Sequence, residues 1–160
     1  MRILVAAVGR MKDAEERAII ARYAKRFDLT GKPFGLGPLS FVELPEGKGE
    51  DADARKAGEA RRLIAAAEKI ALTVVLDGAG KALSSDTFAR FLQQHADAGA
   101  KTCGFLIGGP DGHGEAALKS ATLVLSLGPM TLPHGLARVV LTEQLYRAAT
   151  ILAGHPYHRA

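Results

Sequence analysis

The sequence predicts an α/β fold, a single-domain three-layer sandwich built on a mainly parallel sheet. Continuous apolar runs recur at residues 2–8, 71–76 and 102–107, the pattern of strands covered on both faces. Between them lie segments with apolar residues at helical spacing, so strands and helices alternate as a parallel sheet requires. The runs end in glycine and proline, where the chain must turn.

In order, Arg2 to Val8 reads as a buried strand closed by Gly9. Asp13 caps a helix to about Phe27, with Ala18, Ile19 and Tyr23 on one face. Thr30 to Pro38 is loop, Ser40 to Leu44 a short strand, and Pro45 to Glu50 a polar, mobile loop. Asp51 or Asp53 starts a helix to about Lys69 that packs through Ala57, Ala60, Leu63, Ile64 and Ala67. Its Arg55, Lys56, Arg61 and Arg62 form either a solvated face or a contact to RNA phosphate. Ala71 to Leu76 is a central strand, and Ser84 or Ser85 caps a helix to about Ala98. After the strand at Thr102 come a short helix, Gly114 to Ser120, a strand, Thr122 to Leu125, and a last helix, Leu136 to Ala153.

The chain's 160 residues fit one domain, and no repeat or linker divides them. With 48% hydrophobic and 24% charged residues it has the balance of a soluble protein. Residues 1–9 hold too short an apolar run for a membrane span and no signal-cleavage region, and Cys103 alone cannot form an internal disulfide. These features predict a cytoplasmic protein, with Cys103 as a buried hydrophobe. The net charge of +4 permits a polyanionic partner without requiring one. From Ala116 onward the only acidic residue is Glu143, against Lys119, Arg138, Arg147, Arg159 and three histidines.

Three loops fall at strand ends: Leu76 to Lys81, Ile107 to Gly114, and Ser126 to Leu132. In an open α/β sheet such loops meet at one crevice, and glycines there let backbone amides approach a ligand. No Gly-Lys-Ser/Thr follows the glycines and no G-x-G-x-x-G follows the first strand, so the phosphate and dinucleotide signatures are absent. A slot of amides and apolar side chains suits a flat heterocycle and a soft cationic group. The tail, residues 155–159, places an aromatic, an imidazole and a guanidinium in sequence, a set able to stack on a base, move a proton and hold an anion. On the last helix Glu143 and Arg147 are spaced for an ion pair. Five scattered histidines and one cysteine have no metal-ligand spacing, so no metal is predicted.

Leu-Asp at 76–77, Leu-Ile-Gly-Gly-Pro-Asp-Gly at 106–112, Leu-Pro-His at 132–134, Glu-Gln-Leu-Tyr-Arg-Ala at 143–148 and the terminal His-Pro-Tyr-His-Arg together resemble the bacterial large-subunit rRNA methyltransferase H family, of the SPOUT class. The resemblance runs over the whole chain and departs in the Gly35 to Pro38 loop. It implies S-adenosylmethionine-dependent methylation of N3 of a pseudouridine in the subunit-interface stem-loop of 23S rRNA. It also implies a homodimer and a C-terminal trefoil knot, which strand patterns cannot reveal because threaded chains are rare exceptions. The implied cofactor contacts are Leu76, Gly108, Leu127, Gly128, Pro129, Met130, Thr131 and Leu132. The chemistry requires a residue to take the imide proton and a cation to stabilise the anion; the candidates are Tyr157, His158, Arg159, Arg138 and Arg147. A tail of one subunit closing over the other's pocket is the arrangement expected. Two other readings stand beside it: a non-catalytic RNA- or ribosome-binding protein, and a doubly wound nucleotide-binding enzyme.

Overall fold

Strands β1 (Arg2–Val8), β2 (Leu39–Leu44), β3 (Leu72–Ala82), β4 (Thr102–Ile107) and β5 (Leu123–Ser126) form one sheet in the order β2-β1-β4-β3-β5. Every pairing is parallel. The computed structural model describes residues 1–68 and 70–158. β4 lies at the centre, its Phe105 in register between Val5 and Val74, and all three side chains are buried.

Alternation along the strands divides the core. Val5, Ala7, Val74, Phe105 and Ile107 join one cluster with Phe27, Phe88, Leu92, Leu141 and Leu145. These come from α1 (Ala14–Gly31), α3 (Ser85–Asp97) and α5 (His134–Leu152). Ala6, Val8, Val75 and Leu106 point the other way, onto Leu63 of α2 (Ala52–Ala66) and Leu118 of α4 (Glu115–Lys119). Period-two side-chain direction thus yields the three layers predicted. Asp13 and Ser84 cap α1 and α3 as expected, and Asp51, rather than Asp53, caps α2 by accepting from the Ala54 amide.

Three expectations need correction. α1 continues to Gly31, past Phe27, because that glycine makes room for the buried Leu36: a Cβ on Gly31 would lie 3.1 Å from the Leu36 Cβ. β3 does not end at Leu76; after an irregular stretch it pairs again, Lys81 with Leu125 and Ala82 with Ser126. Gly80 permits that approach, since a Cβ there would meet the Val124 carbonyl oxygen at 2.7 Å. On α2, Ala57 is exposed and Glu59 is buried. Glu59 turns inward because its Oε1 accepts the Gly47 amide at 2.7 Å, which also anchors the 45–50 loop onto the helix.

Candidate functional site: a neutral cavity at the carboxyl edge of the sheet

The carboxyl ends of β3, β4 and β5 and the first residues of α5 enclose a cavity of about 280 Å³. That lies near the lower end of small-ligand sites, about 300–1,000 Å³. All eight residues expected to hold the cofactor line it: Leu76, Gly108, Leu127, Gly128, Pro129, Met130, Thr131 and Leu132. Topology explains the convergence, because β3 and β4 are neighbours, β5 follows β3, and parallel strands place all their outgoing loops on one edge. Gly128 adopts φ +133°, which favours glycine, and this swings the 127–132 run around the cavity mouth.

The 108–114 loop is pinned from two sides. Outside, Asp111 receives Nε of Arg55 at 2.7 Å and Nη2 at 3.2 Å. Arg55, read as part of a solvated or RNA-facing surface, is thereby committed to the loop. The Arg55 guanidinium holds the Asp111 carboxyl below the usual carboxylate range. Inside, the Gly108 amide donates to His113 Nε2 at 3.0 Å. Glu59, 3% exposed, backs the turn so closely that a Cβ on Gly109 would sit 2.6 Å from its Oε2.

The lining is almost uncharged. Among the described residues it contains no lysine or arginine; Asp77 is its one carboxylate, and His113 and His134 are its imidazoles. α5 begins here without a side-chain cap, so its first amides are available as donors. Asp77 and His113 lie within loops expected at the crevice, and His134 just beyond the third, but the sequence does not mark any of the three as a site residue. A flat apolar group fits between Leu76, Ile107, Leu127, Leu132 and Ala137, and a soft cation suits a wall whose single fixed charge is negative. The chemistry of this lining fits S-adenosylmethionine.

The expected catalytic residues lie elsewhere in the chain. Arg138 is 4% exposed and spends its guanidinium on the carbonyls of Val8 and Gly9, at 2.7 and 2.8 Å, and on Glu43 at 3.0 Å. Tyr157 packs on Tyr146, with ring centroids 4.7 Å apart, and its hydroxyl donates to Glu143 at 2.9 Å. Arg147 also binds Glu143, at 2.7 Å, and lies 5.0 Å from the centroid of the Tyr157 ring. Burial, then the hydroxyl of Tyr23 and the carboxylate of Glu143, raise the Tyr157 pKa, so it is a neutral donor here. His158 Nε2 lies 3.4 Å from Asp86. Arg159 falls outside the described residues. None of the four described residues lines the cavity. Glu143, where the tail docks, is nine residues along α5 from His134, about 13 Å of helix rise. Cys103, fully buried in β4, has its thiol pushed up to about 12 by burial and is no nucleophile.

An all-parallel sheet with a glycine-lined cavity at its carboxyl edge, free of lysine and arginine among the described residues, defines a small-ligand α/β protein. A family model described as "Predicted SPOUT methyltransferase" matches residues 1–158. Proteins called ribosomal RNA large subunit methyltransferase H are 49% identical in Brucella anthropi and 45% in Xanthobacter autotrophicus, each over 100% of both chains. The fold also resembles a probable methylase family protein from Haemophilus influenzae, at TM-score 0.55 and 14% identity, over 99% of this chain and 70% of that one. The chain belongs to the ribosomal RNA large subunit methyltransferase H family of SPOUT methyltransferases.

Proposed function

We propose that this protein is an S-adenosylmethionine-dependent methyltransferase acting on N3 of a pseudouridine in 23S rRNA, working as a homodimer. The observation that carries the reading is the cavity itself, which gathers all eight expected cofactor contacts and, among the described residues, offers no lysine or arginine for a phosphorylated ligand. That lining also counts against a doubly wound nucleotide-binding enzyme. The trefoil knot of the SPOUT class belongs to the same reading.

Bound S-adenosylmethionine supplies an electrophilic methyl group on a sulfonium. The protein's part is to present the acceptor. The imide N3 is a poor nucleophile until its proton leaves; the His158 imidazole, which faces Asp86 at 3.4 Å, takes that proton. Arg147 stabilises the resulting anion. Tyr157 holds the base through its ring and its position rather than as a phenolate. Held between Leu76, Gly108 and the 127–132 run, S-adenosylmethionine would supply that methyl to the deprotonated N3.

Methyl transfer requires reacting atoms within about 3–3.5 Å, yet the tail docks about 13 Å along α5 from its own cavity. A second copy of the chain supplies the missing group. Met130 (81% exposed) and Leu136 (44% exposed) present apolar surface beside the cavity, the kind of surface a partner covers. Among the described residues no helix is long and apolar enough to cross a membrane.

The test is a methylation assay with assembled ribosomes and with free rRNA, followed by mass analysis of the modified nucleoside. A product heavier by one methyl at a pseudouridine N3 supports the reading. No transfer to any ribosomal substrate, with no calorimetric signal from S-adenosylmethionine, would leave a non-catalytic RNA-binding protein.

A further inference from the structure

We propose that His113 is a positioning residue that holds the Gly108 turn in its ligand-accepting shape only while its imidazole is neutral. The inference rests on the cavity being the S-adenosylmethionine site. Because Nε2 accepts the Gly108 amide at 3.0 Å, the ring proton must sit on Nδ1. That nitrogen is buried and has no hydrogen-bond partner among the described residues. Protonating the ring places a second donor against the Gly108 N–H, and the bond that closes the turn is lost. Gly108 cannot shift freely in response, because a Cβ there would already lie 2.9 Å from the Gly112 oxygen.

The surroundings decide which form prevails. Burial disfavours the cation and pushes the imidazole below its ordinary range; Asp77 on β3, the Leu76 carbonyl, Glu59 on α2 and the Leu106 carbonyl act against that. Of the other charges on this loop and α2, Asp111 and Arg55 are spent on each other, and Lys56 lies 3.7 Å from Asp53; Arg61 and Arg62 complete the set on α2. His134, on α5, lines the same cavity and is the group that could be mistaken for it. Since the ligand-accepting turn needs the neutral ring, affinity is full at pH 7 and above and falls as pH drops through the His113 titration.

The experiment titrates S-adenosylmethionine into the full-length protein by calorimetry from pH 7.5 to 5.0, with ¹H–¹⁵N spectra of the ligand-free protein over the same range. The wild type should lose roughly tenfold in affinity across it, a difference of about 1.4 kcal/mol. His113→Gln, whose amide oxygen can accept the same amide without titrating, should bind with a flat profile. His113→Leu should bind more weakly at every pH, also flat, while His134→Gln keeps the wild-type slope. In the spectra the Gly108 amide should shift with the His113 ring. A Gly108 amide that ignores that titration, or a wild-type slope retained by His113→Gln, overturns the proposal. A Gly108 shift without ligand heat at any pH would uphold the turn's dependence on His113 and reject the cofactor reading instead.

Discussion

The Tyr157 hydroxyl donates to Glu143 Oε1 across 2.9 Å, and the same oxygen receives Nε and Nη2 of Arg147 at 3.0 and 2.7 Å. One carboxylate oxygen therefore sets the position of both the tail's aromatic ring and the cation beside it. Glu143→Gln keeps an acceptor but removes the charge that fixes the guanidinium. We expect methyl transfer to fall roughly tenfold or more, about 1.4 kcal/mol of lost transition-state stabilisation, with cofactor affinity unchanged. Single-turnover rates on the ribosomal substrate check this, and an unchanged rate would assign Glu143 to packing alone.

Arg138 ties the start of α5 to the end of β1. Arg138→Met removes the donors for two carbonyls and leaves Glu43 without its cation. The expected cost is about 2–4 kcal/mol, or roughly 5–15 °C in Tm for a domain of this size. Thermal unfolding measures it. Undiminished Tm with abolished turnover would return Arg138 to the chemistry.

The Arg55 and Asp111 pair gives stability a defined pH dependence. The folded-state pKa of Asp111 is depressed by Arg55, so its contribution is present above the unfolded value and disappears as pH falls through the folded one. Asp111→Asn should therefore unfold more readily than wild type at pH 7. The gap should close as pH falls below about 4, where the unfolded carboxylate begins to protonate. Denaturant melts at both pH values decide it.

Chains with complementary defects test whether the tail acts across a dimer. One carries Gly108→Val, whose Cβ would meet the Gly112 carbonyl oxygen at 2.9 Å and so deform the cavity wall; the other lacks residues 155–160. Each alone should be inactive, and an equal mixture should recover roughly a quarter of wild-type activity, because half the dimers are mixed and each of those holds one intact site. A mixture as inactive as its parts would place the tail on its own protomer's cavity.

Much of this architecture is legible in local pattern. Apolar runs such as residues 71–76 and 102–107 become adjacent central strands, and Asp13 and Ser84 cap the helices their chemistry suits. The cavity wall was accessible because three strand-end loops of one parallel sheet must share an edge. What local pattern misses are pairings between distant segments. Glu59 reads as one more charge on α2 until Gly47 folds back onto it, and Arg55 is spoken for by Asp111, 56 residues away. The extension of β3 to Ala82 depends on β5, which the chain reaches only later. His113 looks like part of a turn; its ring becomes informative only once it closes on Gly108. Arg138 has the residue type of a catalytic cation, and its burial under β1 carries no signature in the residues around it.

The most direct measurement is a crystal structure of the full chain soaked with S-adenosylmethionine. The account predicts electron density for the ligand between Leu76, Gly108 and the 127–132 run, its methyl directed toward residues 157–158 of a second copy. Density absent from that cavity, or a methyl group facing no tail from either copy, would contradict it.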